Sequence, residues 1–229
     1  MHNLYFYILF FSVLFPFIFS FHPKIAFYKT WKYLFPAMLI SAFVFIAWDI
    51  YFTKEKVWGF NKEYILNIYF FNLPIEEVLF FLCIPFSSIF IYHIIEQFPS
   101  NNVITKSQNK ITYFLLLFLL ILGIINIQKA YTATTFISLF LFLGMLKFIF
   151  NASFLGKFYY AYLYILIPFL IVNGILTGSF IKDEVVWYDN QENLGLRIFT
   201  IPIEDAFYGM LLLILSISIY EYFRKKKFY

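Results

Sequence analysis

Long apolar runs alternate with short polar segments along almost the whole chain. About seven of these runs are long enough to cross roughly 30 Å of hydrocarbon as helices. The pattern therefore predicts an all-α, polytopic membrane protein with about seven transmembrane helices. The predicted spans lie near 4–21, 34–52, 74–95, 111–128, 130–150, 158–178 and 202–222.

The composition also indicates a membrane protein. Hydrophobic residues make up 62% of the 229 residues and charged residues only 13%, whereas a water-soluble domain carries roughly 25% charge. The net charge of +4 lies mainly in loops and in the basic C-terminal tail, which indicates attraction to the lipid bilayer and not to nucleic acid. More Lys and Arg residues lie on the membrane face that holds the C-terminus than on the opposite face, so the positive-inside rule favours a cytoplasmic C-terminus. We expect the protein to lie in the cytoplasmic membrane of a bacterium.

One short phrase occurs twice, each time at the start of a long apolar run. Residues 72–80 read NLPIEEVLF, and residues 200–208 read TIPIEDAFY, 128 positions later. This shift aligns predicted helices 1–3 with helices 5–7 and leaves helix 4 as a bridge, so the halves are parallel repeats whose motifs open at the same membrane face. We predict a first repeat at 1–100, a linker and bridging helix at 101–129, and a second repeat at 130–229.

Each phrase places two acids behind a proline in the first turn of a helix. Proline suits this position because its missing N–H would have no partner there, and Asn72 or Thr200 is expected to cap the helix. Acids in membrane segments are costly and mark functional sites by default, although acids in a first turn also complement the helix dipole. The candidate acid and base groups are Glu76, Glu77, Glu204 and Asp205.

Adjacent acids on a helix point about 100° apart, so the two acids of one motif must have different roles. Tyr208 lies four residues after Glu204, on the same helix face, and we expect it to orient that glutamate. Two glutamates facing each other across the repeat axis would titrate as a coupled pair. Such a pair supplies a proton and a base in a dry site, as general acid–base catalysis requires.

Residues near the motifs are candidates for substrate binding. Asp49 ends predicted helix 2 roughly where Asn173 ends predicted helix 6. Aromatic ring faces beside the motifs can stabilise a passing carbocation. A metal is not expected, because His93 has no second His or Cys nearby. The substrate-binding candidates are Asp49, Trp58, Phe80, Asn173 and Phe207.

The motifs resemble those of a known family, the integral-membrane lycopene cyclases of the heterodimeric type, which occur as two small subunits or as one fused chain. The matching segments are PIEE at 74–77 and PIEDAFY at 202–208, and WD at 48–49, WGFN at 58–61, NGILT at 173–177 and RIFTIP at 197–202 are also similar. Both motifs lie on one chain, so the resemblance is to the fused form.

This resemblance implies an isomerase or intramolecular lyase that cyclises lycopene to β-carotene without net redox change. A terminal double bond of the ψ-end is protonated, an inner double bond attacks the cation, and proton loss gives a β-ring. We expect Glu76 and Glu204 as the principal acid and base, supported by Glu77, Asp205 and Tyr208. The resemblance also implies that no flavin, dinucleotide or other cofactor is used, and consistently the sequence has no GxGxxG fingerprint. The expected partners are lycopene or a related acyclic carotenoid, and other carotenoid enzymes.

The alternative is a proton-coupled transporter of a small apolar or acidic solute, because parallel repeats around an acidic site are also transporter architecture. A retinal protein is disfavoured, since no lysine lies in the last predicted span. A prenyltransferase is disfavoured too, because the chain has no DxxxD pair for magnesium.

Overall fold

The fold is known from a computed structural model that describes residues 3–97 and 103–225. The prediction of an all-α protein is confirmed, whereas the short strands on one membrane face were not predicted. The helices are α1 (Leu4–Phe19), α2 (Trp31–Lys54), α3 (Ile75–Glu96), α4 (Val103–Lys106), α5 (Gln108–Ile125), α6 (Ala130–Gly144), α7 (Leu155–Leu176) and α8 (Ile203–Lys225). The strands are β1 (Trp58–Phe60), β2 (Tyr69–Phe70), β3 (Leu73–Pro74), β4 (Val186–Tyr188), β5 (Arg197–Ile198) and β6 (Ile201–Pro202).

Within these ranges, six helices are long and apolar enough to cross a membrane. A 3₁₀-helix at Phe27–Thr30 lengthens α2, and a π-helix at Met145–Ile149 lengthens α6. The seventh predicted span, α1, has 16 residues and a length of about 24 Å, somewhat less than the hydrocarbon thickness. The prediction of a polytopic membrane protein is therefore confirmed, with six long spans and one shorter helix.

The internal repeat is confirmed by hydrogen bonds that recur in both halves. The amide of Ile75, at the start of α3, donates to the Ile68 carbonyl at 2.8 Å, and the amide of Ile203, at the start of α8, donates to the Leu196 carbonyl at 3.0 Å. The hairpins β2–β3 and β5–β6 precede these helices in the same register. The same shift of 128 residues overlays α1, α2 and α3 on α6, α7 and α8 and leaves α5 between the two sets. The exact repeat boundaries stay a prediction, since residues 98–102 lie outside the described part.

The two halves meet in a two-stranded ribbon formed by β1 and β4. The strands are antiparallel, with Gly59 opposite Trp187. A side chain on Gly59 would come within 2.3 Å of the Trp187 ring, so glycine permits this close approach. Both motif helices begin beside this ribbon, and we call this side of the protein the motif face.

Polar residues tie the halves together at the opposite face as well. Arg224 of α8 forms ion pairs with Glu96 of α3 at 2.5 Å and with Glu221 at 2.7 Å. The Tyr92 hydroxyl donates to Glu221 at 3.2 Å. We call Tyr92, Glu96, Glu221 and Arg224 the inter-repeat clasp. It lies on the side that the positive-inside rule assigns to the cytoplasm, and this orientation stays a prediction.

The helices pack around α3 and α8, which lie next to each other. Helix α2 contacts both of them, α1 packs on α3, α6 packs on α8, and α5 covers α6. The buried core includes Phe81 and Ile89 of α3 and Ile214 and Ile217 of α8. This arrangement brings the N-terminal ends of α3 and α8, with their acids, to one region of the motif face.

Candidate active site

A largely apolar cavity of about 530 Å³ lies between α1, α3, α7 and α8, with the β1–β4 ribbon at one end. Three buried carboxyl groups line it, from Asp49 of α2, Glu77 of α3 and Asp205 of α8. All three lie at the motif-face end, because α3 and α8 begin there and α2 ends there. The rest of the lining is mainly apolar and includes Ile8, Phe80, Ile165, Val172, Leu176 and Leu212.

Asp205 accepts hydrogen bonds from three side chains. Its Oδ1 accepts from the Tyr131 hydroxyl at 2.6 Å, and its Oδ2 accepts from Asn173 Nδ2 at 3.0 Å and from the Tyr188 hydroxyl at 3.1 Å. Burial raises the pKa of Tyr188 well above its ordinary value, an effect that Asp205 reinforces, so this phenol keeps its proton and can donate. Three donors on one carboxyl group stabilise its charged form.

Glu77 is held in a similar way by one tyrosine. The Tyr5 hydroxyl donates to Glu77 Oε2 at 2.5 Å. Tyr5 is the second residue of α1, and Tyr131 is the second residue of α6, so each repeat uses the same position to bind the second acid of its motif. Neither tyrosine is among the predicted site residues, and their matching positions in corresponding helices are the signal that could have revealed them.

The predicted helix caps do not form. Asn72 Nδ2 donates instead to the Ile50 carbonyl at 2.9 Å, near the end of α2. The Thr200 hydroxyl donates to the Gly174 carbonyl at 3.3 Å, near the end of α7. These side chains therefore tie each motif to the preceding helix of its own repeat.

Asp49 and Asn173 occupy corresponding positions in the two repeats. Asp49 directly precedes Ile50, whose carbonyl accepts the hydrogen bond from Asn72, and Asn173 directly precedes Gly174, whose carbonyl accepts the one from Thr200. They differ in chemistry. Asn173 donates to Asp205, whereas Asp49 is a second carboxyl group that interacts electrostatically with Glu77. The first repeat thus contributes a pair of acids, and the second contributes an amide and an acid.

Trp58 and Tyr208 lie close enough to Asp49 to stabilise its charged form. Even so, Asp49 Oδ2 and the hydroxyl oxygen of Tyr208 are buried and make no hydrogen bond of normal geometry with the described residues. Both residues line the cavity, as does Trp58. Unsatisfied buried polar groups are rare and need an explanation, and a site that handles protons supplies one.

Glu76 and Glu204 do not line the cavity, which corrects their expected position at the centre of the site. Both are 0% exposed. Glu76 Oε1 accepts from the Leu66 amide at 2.6 Å, and Glu204 Oε1 accepts from the Leu194 amide at 2.7 Å. Since neighbouring helix positions point about 100° apart, Glu77 and Asp205 face the cavity while these glutamates hold the loops before the motifs.

Of the two aromatic residues predicted in the second motif, one lines the cavity and the other does not. Tyr208 lines the cavity and does not orient Glu204, which accepts instead from the Thr132 hydroxyl at 2.6 Å. Phe207 lies away from the cavity lining, with its ring centroid 5.6 Å from that of Phe118 and 4.9 Å from that of Phe136. The remaining predicted residues, Asp49, Trp58, Glu77, Phe80, Asn173 and Asp205, are brought together at the cavity.

In the part of the chain that the structure describes, no group of three or more His, Cys, Asp or Glu side chains is arranged to hold a metal ion. The expectations of no metal and no cofactor stay predictions.

Comparison with known protein families gives one match. A family model described as lycopene cyclase matches residues 2–95 and 128–223. The matched segments contain both motifs and all three cavity acids, and they leave out the bridging region. Neither a curated protein nor a solved structure shows significant similarity. The match covers most of the chain and confirms the resemblance noted in the motifs. The chain therefore belongs to the lycopene cyclase family, whose members are enzymes of carotenoid cyclisation.

Proposed function

We propose that the protein is a lycopene β-cyclase, which closes the ψ-end of lycopene or a related acyclic carotenoid into a β-ring by acid catalysis. The observation that supports this most strongly is the group of three buried carboxyl groups at one end of an apolar cavity. Such a site binds a hydrocarbon and supplies protons to it in the near absence of water.

The proton donor in this proposal is the acid pair Asp49–Glu77. Two neighbouring carboxyl groups in a dry site cannot both be ionised cheaply, so the pair holds one proton. Glu77 accepts a hydrogen bond from Tyr5 at 2.5 Å, whereas Asp49 Oδ2 makes no hydrogen bond of normal geometry with the described residues, with Trp58 and Tyr208 as its nearby donors. Asp49 is therefore the better place for the proton, with Glu77 as the charged partner.

The reaction begins when the pair transfers this proton to the terminal double bond, leaving a tertiary carbocation. The neighbouring inner double bond attacks the cation, which forms the new ring bond and moves the positive charge into the ring. Loss of a ring proton to the now basic pair gives the β-ring and restores the enzyme. No electrons are gained or lost, so the product is an isomer of the substrate.

Asp205 and the aromatic rings around it stabilise the cation in this scheme. Its three donors favour the carboxylate form of Asp205, and a fixed negative charge in a water-excluded site stabilises a developing cation effectively. Trp58, Tyr131 and Tyr188 surround the acids, with ring centroids 5.1 Å apart for the first two and 5.8 Å for the last two. Their π faces favour a cation further.

The test is expression in lycopene-accumulating bacteria, with pigments identified by chromatography. We expect the wild type to form β-carotene and Glu77→Gln to form at least about 10²-fold less, the usual contribution of acid–base catalysis. Glu63→Gln, at an exposed loop position on the motif face, is the matched control and should be as active as the wild type. Lycopene left unchanged by the wild type would contradict the proposal and favour the transporter, and full activity of Glu77→Gln would contradict the mechanism.

A further inference from the structure

The cavity reaches the outer surface of the protein between α1 and α7. Its lining includes Tyr7 and Phe11 on α1 and Pro168 and Ile171 on α7. The protein leaves these side chains exposed: Phe11 is 64% and Ile171 is 61% accessible. Because these positions lie on helices within the membrane, their exposed side chains contact lipid there. The cavity is therefore continuous with the hydrocarbon of the bilayer at this seam.

The acid end of the cavity is closed by protein. Trp58 of the β1–β4 ribbon lies over the acids, and Val57 and Val185, which flank the two strands, are buried. The Asn61 amide donates to the Val185 carbonyl at 2.8 Å, and the Asp189 amide donates to the Val57 carbonyl at 2.9 Å. These two hydrogen bonds hold the ends of the ribbon together. A molecule that reaches the acids from the seam therefore comes from lipid and not from the aqueous side.

The repeat-related position on α2 carries a bulky side chain instead. Val172 of α7 lines the cavity, whereas the corresponding residue of α2 is Trp48, directly before Asp49. The Trp48 ring packs on Phe45 and Tyr208, with centroid distances of 5.9 and 5.5 Å. Trp48 is thus a bulky, packed side chain in the first repeat at the position where the second repeat has the smaller Val172, which lines the cavity.

The cavity is long enough to hold an extended segment of a linear molecule. Along α3 its lining runs from Glu77 to Ile91, which corresponds to about 21 Å at 1.5 Å per residue. This length is shorter than the roughly 30 Å hydrocarbon core. Apart from the acids and tyrosines near the motif face, the lining is mostly apolar, so it matches a hydrocarbon chain along its whole length.

We propose that the α1–α7 seam is the substrate entrance: one end of a linear, acyclic polyene passes from the bilayer between Phe11 and Ile171 to the acids, and the rest of the chain stays in the seam. This inference rests on the proposed function and deepens it. It also means that one end group reaches the acids at a time, so a second ring requires release and rebinding in the opposite direction.

The test compares two isoleucines on α7 that lie one turn apart. Ile167 and Ile171 are both 61% exposed, but only Ile171 lines the cavity. The rate of lycopene consumption is measured in vesicles as a function of lycopene content. We expect Ile171→Trp to lower kcat/KM several-fold by covering the seam, and Ile167→Trp to keep the wild-type value.

A second experiment removes any dependence on folding of the variants. Ile171→Cys and Ile167→Cys are made in a Cys83→Ala background and assayed before and after labelling with a bulky apolar maleimide. Labelling should block cyclisation in the first protein and leave the second unaffected. If the unmodified wild type forms no ring, the proposed function fails. If it forms rings and the two positions respond alike, the entrance fails while the function stands.

Discussion

Asp49 is the residue that most clearly distinguishes the two repeats. Its counterpart Asn173 donates a hydrogen bond to the neighbouring acid, but Asp49 lies beside Glu77 as a second acid. An amide can only stabilise the charge on its neighbour, whereas a carboxyl group can also share a proton with it. The reactive proton in our mechanism therefore belongs to the first repeat.

We expect Asp49→Asn to abolish ring formation, with a loss of at least about 10²-fold, because it recreates in the first repeat the amide–acid arrangement of the second. The fold should be kept, since Asn173 already occupies the corresponding position. Pigment chromatography, normalised to membrane protein, measures the loss. Appreciable β-carotene from this variant would remove Asp49 as the donor.

Glu76→Gln should behave differently from Glu77→Gln. The glutamine keeps a carbonyl oxygen for the Leu66 amide and changes nothing at the cavity. It places an NH₂ group where Glu76 Oε2 is buried without a partner, which costs about 1–3 kcal/mol. We therefore expect a lower melting temperature in detergent but near wild-type turnover per folded protein. Loss of turnover without loss of stability would return Glu76 to the reaction.

These two glutamates also show how far the sequence could predict the site. The duplicated motifs were readable because the same acids recur after proline at a fixed offset. Which acid of each pair faces the cavity depends on the rotation of a helix that is apolar on all sides, so no polar stripe marks its inner face. Likewise, Tyr5 and Tyr131 are distinguished among 19 tyrosines only by their matching places as second residues of corresponding helices, and the exact start of each helix is set by the fold.

At the scale of elements, the long helices were predictable and the short strands were not. A run of some twenty apolar residues has few structural options in a membrane. Strands β1 and β4 have three residues each, too few to show an alternating pattern, and they form because the two repeats bring them together. The clasp at the other face also depends on tertiary structure, since Glu96 and Arg224 lie far apart in the chain.

Removing the cation of this clasp should destabilise the fold without affecting the chemistry. Arg224→Gln leaves Glu96 and Glu221 next to each other without their shared partner, and we expect a loss of about 1–3 kcal/mol. Lys225→Gln is the control, because Lys225 is more exposed and lies 3.7 Å from Glu221. Thermal unfolding in detergent measures the difference.

The turnover of folded Arg224→Gln should equal that of the wild type, because the clasp and the acids lie at opposite membrane faces. An equal stability of the two variants would show that the clasp does not hold the repeats together.

At the scale of the whole molecule, the site needs both repeats. The first contributes Asp49 and Glu77, and the second contributes Asp205, Tyr131 and Tyr208. The halves are joined by the ribbon, by the clasp and by a hydrogen bond between Ser216 and Ser41 at 2.7 Å. Covalent continuity between the repeats adds no group to the cavity.

We therefore expect a chain cut after residue 100 to regain activity when both pieces are co-expressed. This cut keeps α4 and α5 with the second repeat, because α4 contacts α7 and Gln108, the first residue of α5, accepts a hydrogen bond from the Gly156 amide of α7 at 3.0 Å. Each piece alone should leave lycopene unchanged, and the pair should form β-carotene in the same cells. Activity of one piece alone would contradict a site shared between repeats.

The β1–β4 ribbon has one more consequence. The Asn61 amide donates to the Val185 carbonyl, and the Asp189 amide donates to the Val57 carbonyl. Asn61 corresponds to Asp189 and Val57 corresponds to Val185 in the repeat, so the two hydrogen bonds are equivalent. A protein with a single repeat would already possess donor and acceptor for both, so two identical copies could associate isologously through this contact. Gene duplication then needs only to fuse a pre-existing homodimer, and fusion frees one copy to change an acid into an amide while the other keeps it.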